Sequence, residues 1–230
     1  MQWEYWTDWS PDRIIVAVWS GLTARAEATP VSQEACVLLL SLTTVLPTSR
    51  IAPMKLVDFD LERSVWFAPP RKNERSATVP LTRLSKALIL RALDFRDGRG
   101  GGDLFPSQAD AHKPVSAATL LRAFRRANIE PNIRRPGCGL AGLATWVLAN
   151  EGADADDIRA AAHRKVDTRR ISEIFDPHLW LIDRRRDALE RLEVALMRIV
   201  DVNYSDPLFR GMKRFQGQGV HKAGVRPEGH

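Results

Sequence analysis

The chain has 230 residues, is 44% hydrophobic and carries a formal net charge of +6, enough apolar content for one sizeable core. Its two cysteines, Cys36 and Cys138, stand far apart in apolar or Gly-rich surroundings, and no apolar run approaches the length of a membrane span. A disulfide framework, a Cys-rich metal centre and a helical membrane protein are thereby excluded. With no basic and apolar leader in MQWEYWTDWS, the expectation is a cytoplasmic protein that needs no metal and no cofactor.

The first segment, residues 1–30, is rich in Trp: Trp3, Trp6, Trp9 and Trp19 fall in its first nineteen positions, with Pro11 and Pro30 as punctuation. Trp at positions 3, 6 and 9 would form one stripe of a short helix, a pattern that caps a core or a subunit contact more often than it binds a ligand. Helical periodicity then predicts a helix from Val31 to Leu46, with Ser32 as its cap, VLLLSL as buried core and Pro47 as its breaker.

From Leu56 the pattern becomes β-type. VDFDL, SVWFAPP and SATVPL read as three strands, joined by ERS and by the polar turn RKNER. Thr82 opens a helix through Arg96, DGRGGGD is a loop, and Val115 to Asn128 is a helix capped by Ser116. IEPNIRRPGCG reads as an irregular link, before helices over Leu140–Asn150 and Asp154–Ala162. A long amphipathic helix with Leu181, Ile182, Ala188, Leu189, Leu192, Ala195, Leu196 and Ile199 on one face closes the domain. The tail 201–230 is basic and aperiodic, but Val202, Tyr204, Leu208, Phe209, Met212 and Phe215 need an apolar surface, their own domain's or a neighbour's.

The charge is uneven. Residues 71–135 carry 14 basic and 6 acidic groups, whereas residues 1–70 carry 5 and 8. The middle third is the candidate footprint for a polyanion. The bland alternative is a solvated Arg-rich surface.

The core helix leading into LVDFDLE, the hairpin PPRKNERSATVPL, LFPS, the ATWVLANEG helix, AAAHRK and FDPHLW occur in the order and spacing of one family. Over residues 31–200 the chain resembles the catalytic domain of tyrosine recombinases, the integrases of phages and genomic islands. The resemblance implies a mainly α fold with a small three-stranded antiparallel sheet (α+β), between the Trp-rich start and the tail.

That family cleaves DNA with a Tyr nucleophile, two Arg that clamp the phosphate, a hairpin Lys that protonates the leaving oxygen, and His groups that assist. Matched residue by residue, the first Arg falls on Pro47 in TVLPTSR, with Arg50 three residues on as a substitute or an ordinary surface cation. The Lys matches Lys72 and the later His matches His163. The HxLR pair falls on Cys138 and Ala141, and the nucleophile on Phe175, whose ring has no hydroxyl. Ser172 lacks a base and a clamp, and Tyr5 and Tyr204 lie outside the matched region.

The resemblance therefore implies a recombinase-like protein that binds double-stranded DNA, weakly and with salt sensitivity, but does not cut it. It would act as an accessory factor or regulator in recombination, with the tail contacting a second copy or a partner recombinase. On the family fold Arg71, Lys72, Arg75, Arg122, Arg125, Arg126, Arg134 and Arg135 surround the duplex-facing side. The rivals are a protein-interaction module on the same scaffold and an active recombinase with unorthodox residues.

Overall fold

The computed structural model describes residues 10–23, 32–70, 77–96, 102–127, 136–164, 166, 176–205 and 207–209. The chain opens with α1 (Pro11–Thr23), where Pro11 occupies the first helical position, one that needs no N–H donor. Ile14, Ile15, Val18, Trp19 and Leu22 recur on one face and are buried. That face joins the same core as the helices that follow, although α1 lies within the segment 1–30. Pro11 thus starts a helix rather than marking a turn.

Helix α2 (Gln33–Thr44) is the centre of the molecule. Ser32 caps it, its hydroxyl accepting from the Ala35 amide at 3.2 Å, and every residue from Ala35 to Thr44 is buried. A helix apolar all round must be surrounded, and α2 packs against α1, α3 (Thr48–Ile51), α4 (Arg83–Arg96), α5 (Ala117–Arg126), α6 (Pro136–Asn150) and α8 (Pro177–Ile199). Its buried hydroxyls are satisfied: Ser41 donates to the Leu46 carbonyl at 2.6 Å, Thr44 to Leu40 at 2.6 Å, and Ser85 of α4 to Thr43 at 3.2 Å.

The sheet is antiparallel in the order β1 (Phe59–Asp60), β2 (Val65–Ala68), β3 (Ala77–Pro80), with Trp66 opposite Phe59 and Val79. The strands are shorter than the sequence predicts, β1 because Leu56–Asp58 winds into a 3-10 turn. Trp66 and Ala68 face the core while Phe67, between them, is exposed. One boundary differs from expectation on the C-terminal side: helix α6 begins at Pro136 and so absorbs PGCG. Helix α8 begins at Pro177. Between them α7 (Ala155–Ala161) is capped by Asp154, whose Oδ1 accepts from the amides of Asp156 at 2.8 Å and Asp157 at 2.7 Å. The result is a mainly helical α+β fold. Among the described residues no helix is long and apolar enough to cross a membrane, and no cluster could hold a metal ion.

Candidate functional site

Helix α7 ends in a left-handed residue, and that residue is His163, with φ of 53°. Its amide donates to the Ala160 carbonyl at 3.1 Å, and the next amide, of Arg164, donates to Arg159 at 2.8 Å, closing the helix. The turn carries the imidazole inward, where neither ring nitrogen has a hydrogen-bond partner. Burial first, then the positive charges of Arg185 and Arg50, lowers the His163 pKa to about 3. The ring is therefore neutral at physiological pH. In that state it can hold or relay a proton but does not add charge to an anion.

Arg50 stands on α3, one turn after Pro47, which serves as that helix's N-cap. The expectation of an ordinary surface cation is corrected: Arg50 is 9% exposed and its Nη1 donates to the Pro69 carbonyl at 3.2 Å, before the hairpin turn. A guanidinium is buried only when its donors are satisfied, so Arg50 is a fixed part of the interior. Arg185 of α8 is 8% exposed. Its Nε donates to the Ala160 carbonyl at 2.9 Å and its Nη1 to the Thr78 carbonyl of β3 at 3.2 Å. It thereby joins α7, α8 and the sheet beside His163. Sequence reasoning did not single out Arg185. In the run Arg184–Arg186 the sequence does not distinguish it from Arg184, which pairs with Asp154 and Asp157 of α7 and covers the Trp180 ring at 4.8 Å.

Arg50, His163 and Arg185 thus converge, and the remaining expected site residues stand elsewhere. Ala141 lies half-buried on α6, its carbonyl accepting from the Thr145 hydroxyl at 2.8 Å, and supplies no cation. The backbone of Cys138 belongs to the first turn of the same helix. Phe175, Ser172, Lys72, Arg71, Arg75, Arg134, Arg135 and Tyr5 lie outside the described residues. Among other nucleophile types, Cys36 is buried in α2, and burial pushes its thiol up to about 12. Tyr204 is tied to Glu193, its hydroxyl donating to Oε1 at 2.7 Å. Burial and that carboxylate push its pKa up to about 12, the wrong direction for a nucleophile.

The surface cations are arranged on α5. Ser116 caps the helix, accepting from the Thr119 amide at 3.2 Å, and Leu120 and Phe124 are buried below. Arg122, Arg125 and Arg126 are exposed, and Arg122 donates to the Thr119 hydroxyl at 3.3 Å. No acidic residue occurs on α5, and no carboxylate among the described residues pairs with these three guanidiniums. Elsewhere Arg63, Arg91, Arg159, Arg184 and Arg198 each pair with a carboxylate. The α5 face is consequently a patch of uncompensated positive charge.

No protein-family model matches the chain, and no curated protein does. Among solved structures, the fold is similar to the integrase of transposon Tn1549 in complex with circular intermediate DNA, at a TM-score of 0.52 and 16% identity over 69% of this chain and 58% of that one. It is equally similar to the integrase from mycobacterium phage Brujita, at a TM-score of 0.53 and 16% identity over 85% of this chain and 61% of that one. The chain thus spans about three fifths of the length of either integrase. The order of helices around α2, the three-stranded antiparallel sheet and these likenesses together assign the fold: it is that of the catalytic domain of tyrosine-recombinase-type integrases.

Proposed function

We propose that the protein binds double-stranded DNA through its integrase fold without cutting it, as an accessory factor or regulator of recombination or integration in the cytoplasm. The observation that carries this reading is the α5 face, where Arg122, Arg125 and Arg126 are exposed with no carboxylate partner among the described residues. Guanidiniums in that state neutralise phosphates readily, and each phosphate neutralised steepens the salt dependence of affinity by about 0.9 log units per log unit of salt. The sequence has further cations, Arg71, Lys72 and Arg75 in the turn RKNER of the hairpin and Arg134 and Arg135 just before α6.

The absence of cleavage follows from residue chemistry. Phe175 offers no nucleophile, and Pro47 and Ala141 offer no guanidinium where the resemblance calls for a clamp. Arg50 and Arg185 lie near His163, but both are bound to backbone carbonyls. The test is duplex-DNA retention against salt for the wild type and for the triple Ala variant of Arg122, Arg125 and Arg126. We expect roughly micromolar, largely sequence-independent binding at low salt, with a flatter slope for the variant. If the wild type shows no salt-sensitive retention, the reading fails and a protein-interaction module takes its place.

A further inference from the structure

Helix α5 forms a ridge on the domain. Of its ten residues only Leu120 and Phe124 are buried, and it packs against α2 and α6. At about 100° per residue, Arg122 lies opposite the midpoint of those two side chains and is therefore the crest. Arg125 stands about 60° to one side of the crest and Arg126 about 40° to the other. Close to the crest, one turn before Arg122, is Ala118, exposed and too short to obstruct an approach.

The three guanidiniums are also held differently. Arg122 donates through Nη2 to the Thr119 hydroxyl at 3.3 Å, and that hydroxyl is bonded to the Ser116 hydroxyl at 3.0 Å. Ser116 is itself fixed as the helix cap, accepting from the Thr119 amide at 3.2 Å. Among the described residues no hydrogen bond holds the side chain of Arg125 or Arg126. The bond to Thr119 uses one of the five N–H groups of Arg122, leaving Nη1 and the second N–H of Nη2 for a ligand. A planar fork held in one orientation suits a pair of acceptors, whereas loose cations suit the spread charge of a phosphate backbone.

The major groove of B-DNA is about 12 Å wide and admits one α-helix, whose crest then meets base edges while its flanks meet the phosphates. Guanine presents O6 and N7 there, a pair that one guanidinium meets with two bonds. We propose that α5 enters the major groove, where Arg122, aligned by Thr119, bonds a guanine while Arg125 and Arg126 bond phosphates on either side. This rests on the DNA reading above and adds to it the groove and the base. Mixed-sequence DNA offers guanines throughout, so binding to it stays largely sequence-independent.

The test compares retention of three duplexes of equal length against salt: alternating A·T, alternating G·C, and G·C built with 7-deazaguanine, which lacks N7 in the major groove. The wild type should prefer G·C to A·T by about fivefold or more, and should lose that preference on 7-deazaguanine. Arg122→Ala should abolish the preference. Thr119→Val should cut it at least twofold with the salt slope unchanged, the mark of a positioning residue. Arg125→Ala and Arg126→Ala should each lower the slope by about one and keep the preference. A wild type that binds with a steep slope yet treats the three duplexes alike overturns the groove assignment and leaves the DNA reading standing. A guanine preference that survives 7-deazaguanine or Arg122→Ala overturns it as well. Should the wild type retain none of the duplexes even at low salt, the DNA reading itself has failed and the groove assignment falls with it.

Discussion

Arg185 donates through Nε to the carbonyl of Ala160 at 2.9 Å, so the middle of α8 is bonded to the last turn of α7 just before His163. A second bond, to Thr78 of β3, makes this one side chain a junction of two helices and the sheet. Replacing it with Leu removes a donor from both carbonyls, although that of Ala160 still accepts from the His163 amide at 3.1 Å. The expected loss is roughly 1–3 kcal/mol of unfolding free energy by urea titration. A loss below about 0.5 kcal/mol, the size of an ordinary surface substitution, would show that α8 is held by apolar packing alone.

His163 makes stability depend on pH. Its pKa is lowered to about 3 by burial and by Arg185 and Arg50, whereas the unfolded chain protonates it near 6.5. Between those values the unfolded state binds the extra proton, so folding stability falls as pH falls. The slope approaches 1.4 kcal/mol per pH unit, reaching about 2 kcal/mol at pH 5. Above pH 6.5 the effect is absent. His163→Asn keeps a residue that tolerates positive φ and removes the titration. Stability curves for the two proteins between pH 5 and pH 7 should therefore diverge as pH rises, the wild type gaining on the variant. Parallel curves would mean the imidazole is solvated.

Much of this architecture is legible in the sequence where the determinant is local. Ser32 and Ser116 each cap the helix the sequence suggests, and Asp154, read there as a helix's first residue, is its cap; a cap and its amide partners lie within three residues. His163 likewise ends a helix, as AAAHRK implies. Helix α1 escaped because Pro11 reads as a stop, although the same residue opens a helix equally well. The start of α6 was hidden by PGCG in the same way. The burial of Arg50 and the junction made by Arg185 leave no local trace. Their acceptors lie 19 residues away for Arg50 and 25 and 107 residues away for Arg185, and a guanidinium that seeks backbone carbonyls imposes no residue type on them.

Helices α1 and α5 meet at Gly21. A Cβ there would stand 2.4 Å from the carbonyl oxygen of Ala127, the residue that ends α5. Gly21→Ala gains about 1 kcal/mol of helix propensity. Against it stands a backbone oxygen that cannot rotate away, with an overpacking cost of typically 1–3 kcal/mol. The clash should win, and thermal melting should show a lower midpoint. A raised midpoint would mean that α1 shifts freely over α5 and is not an integral part of the core.

A phosphoryl transfer to protein needs a nucleophile and cations placed where charge builds on the phosphate. Phe175→Tyr supplies the first requirement alone. Ala141 carries no cation on α6, Pro47 is used as the N-cap of α3, and Arg50 is turned to the Pro69 carbonyl. Losing one such charge interaction typically costs a hundredfold or more in rate. With nicked duplex substrates, both the wild type and Phe175→Tyr should therefore give no covalent protein–DNA adduct on denaturing gels. Adding Ala141→Arg to Phe175→Tyr is the more informative variant, since it returns one guanidinium to α6, and any adduct should appear there first. An adduct formed by the wild type, traced by mass spectrometry to Tyr204 or Ser172, would overturn the non-cleaving reading. At Tyr204 it would also require the bond to Glu193 to open.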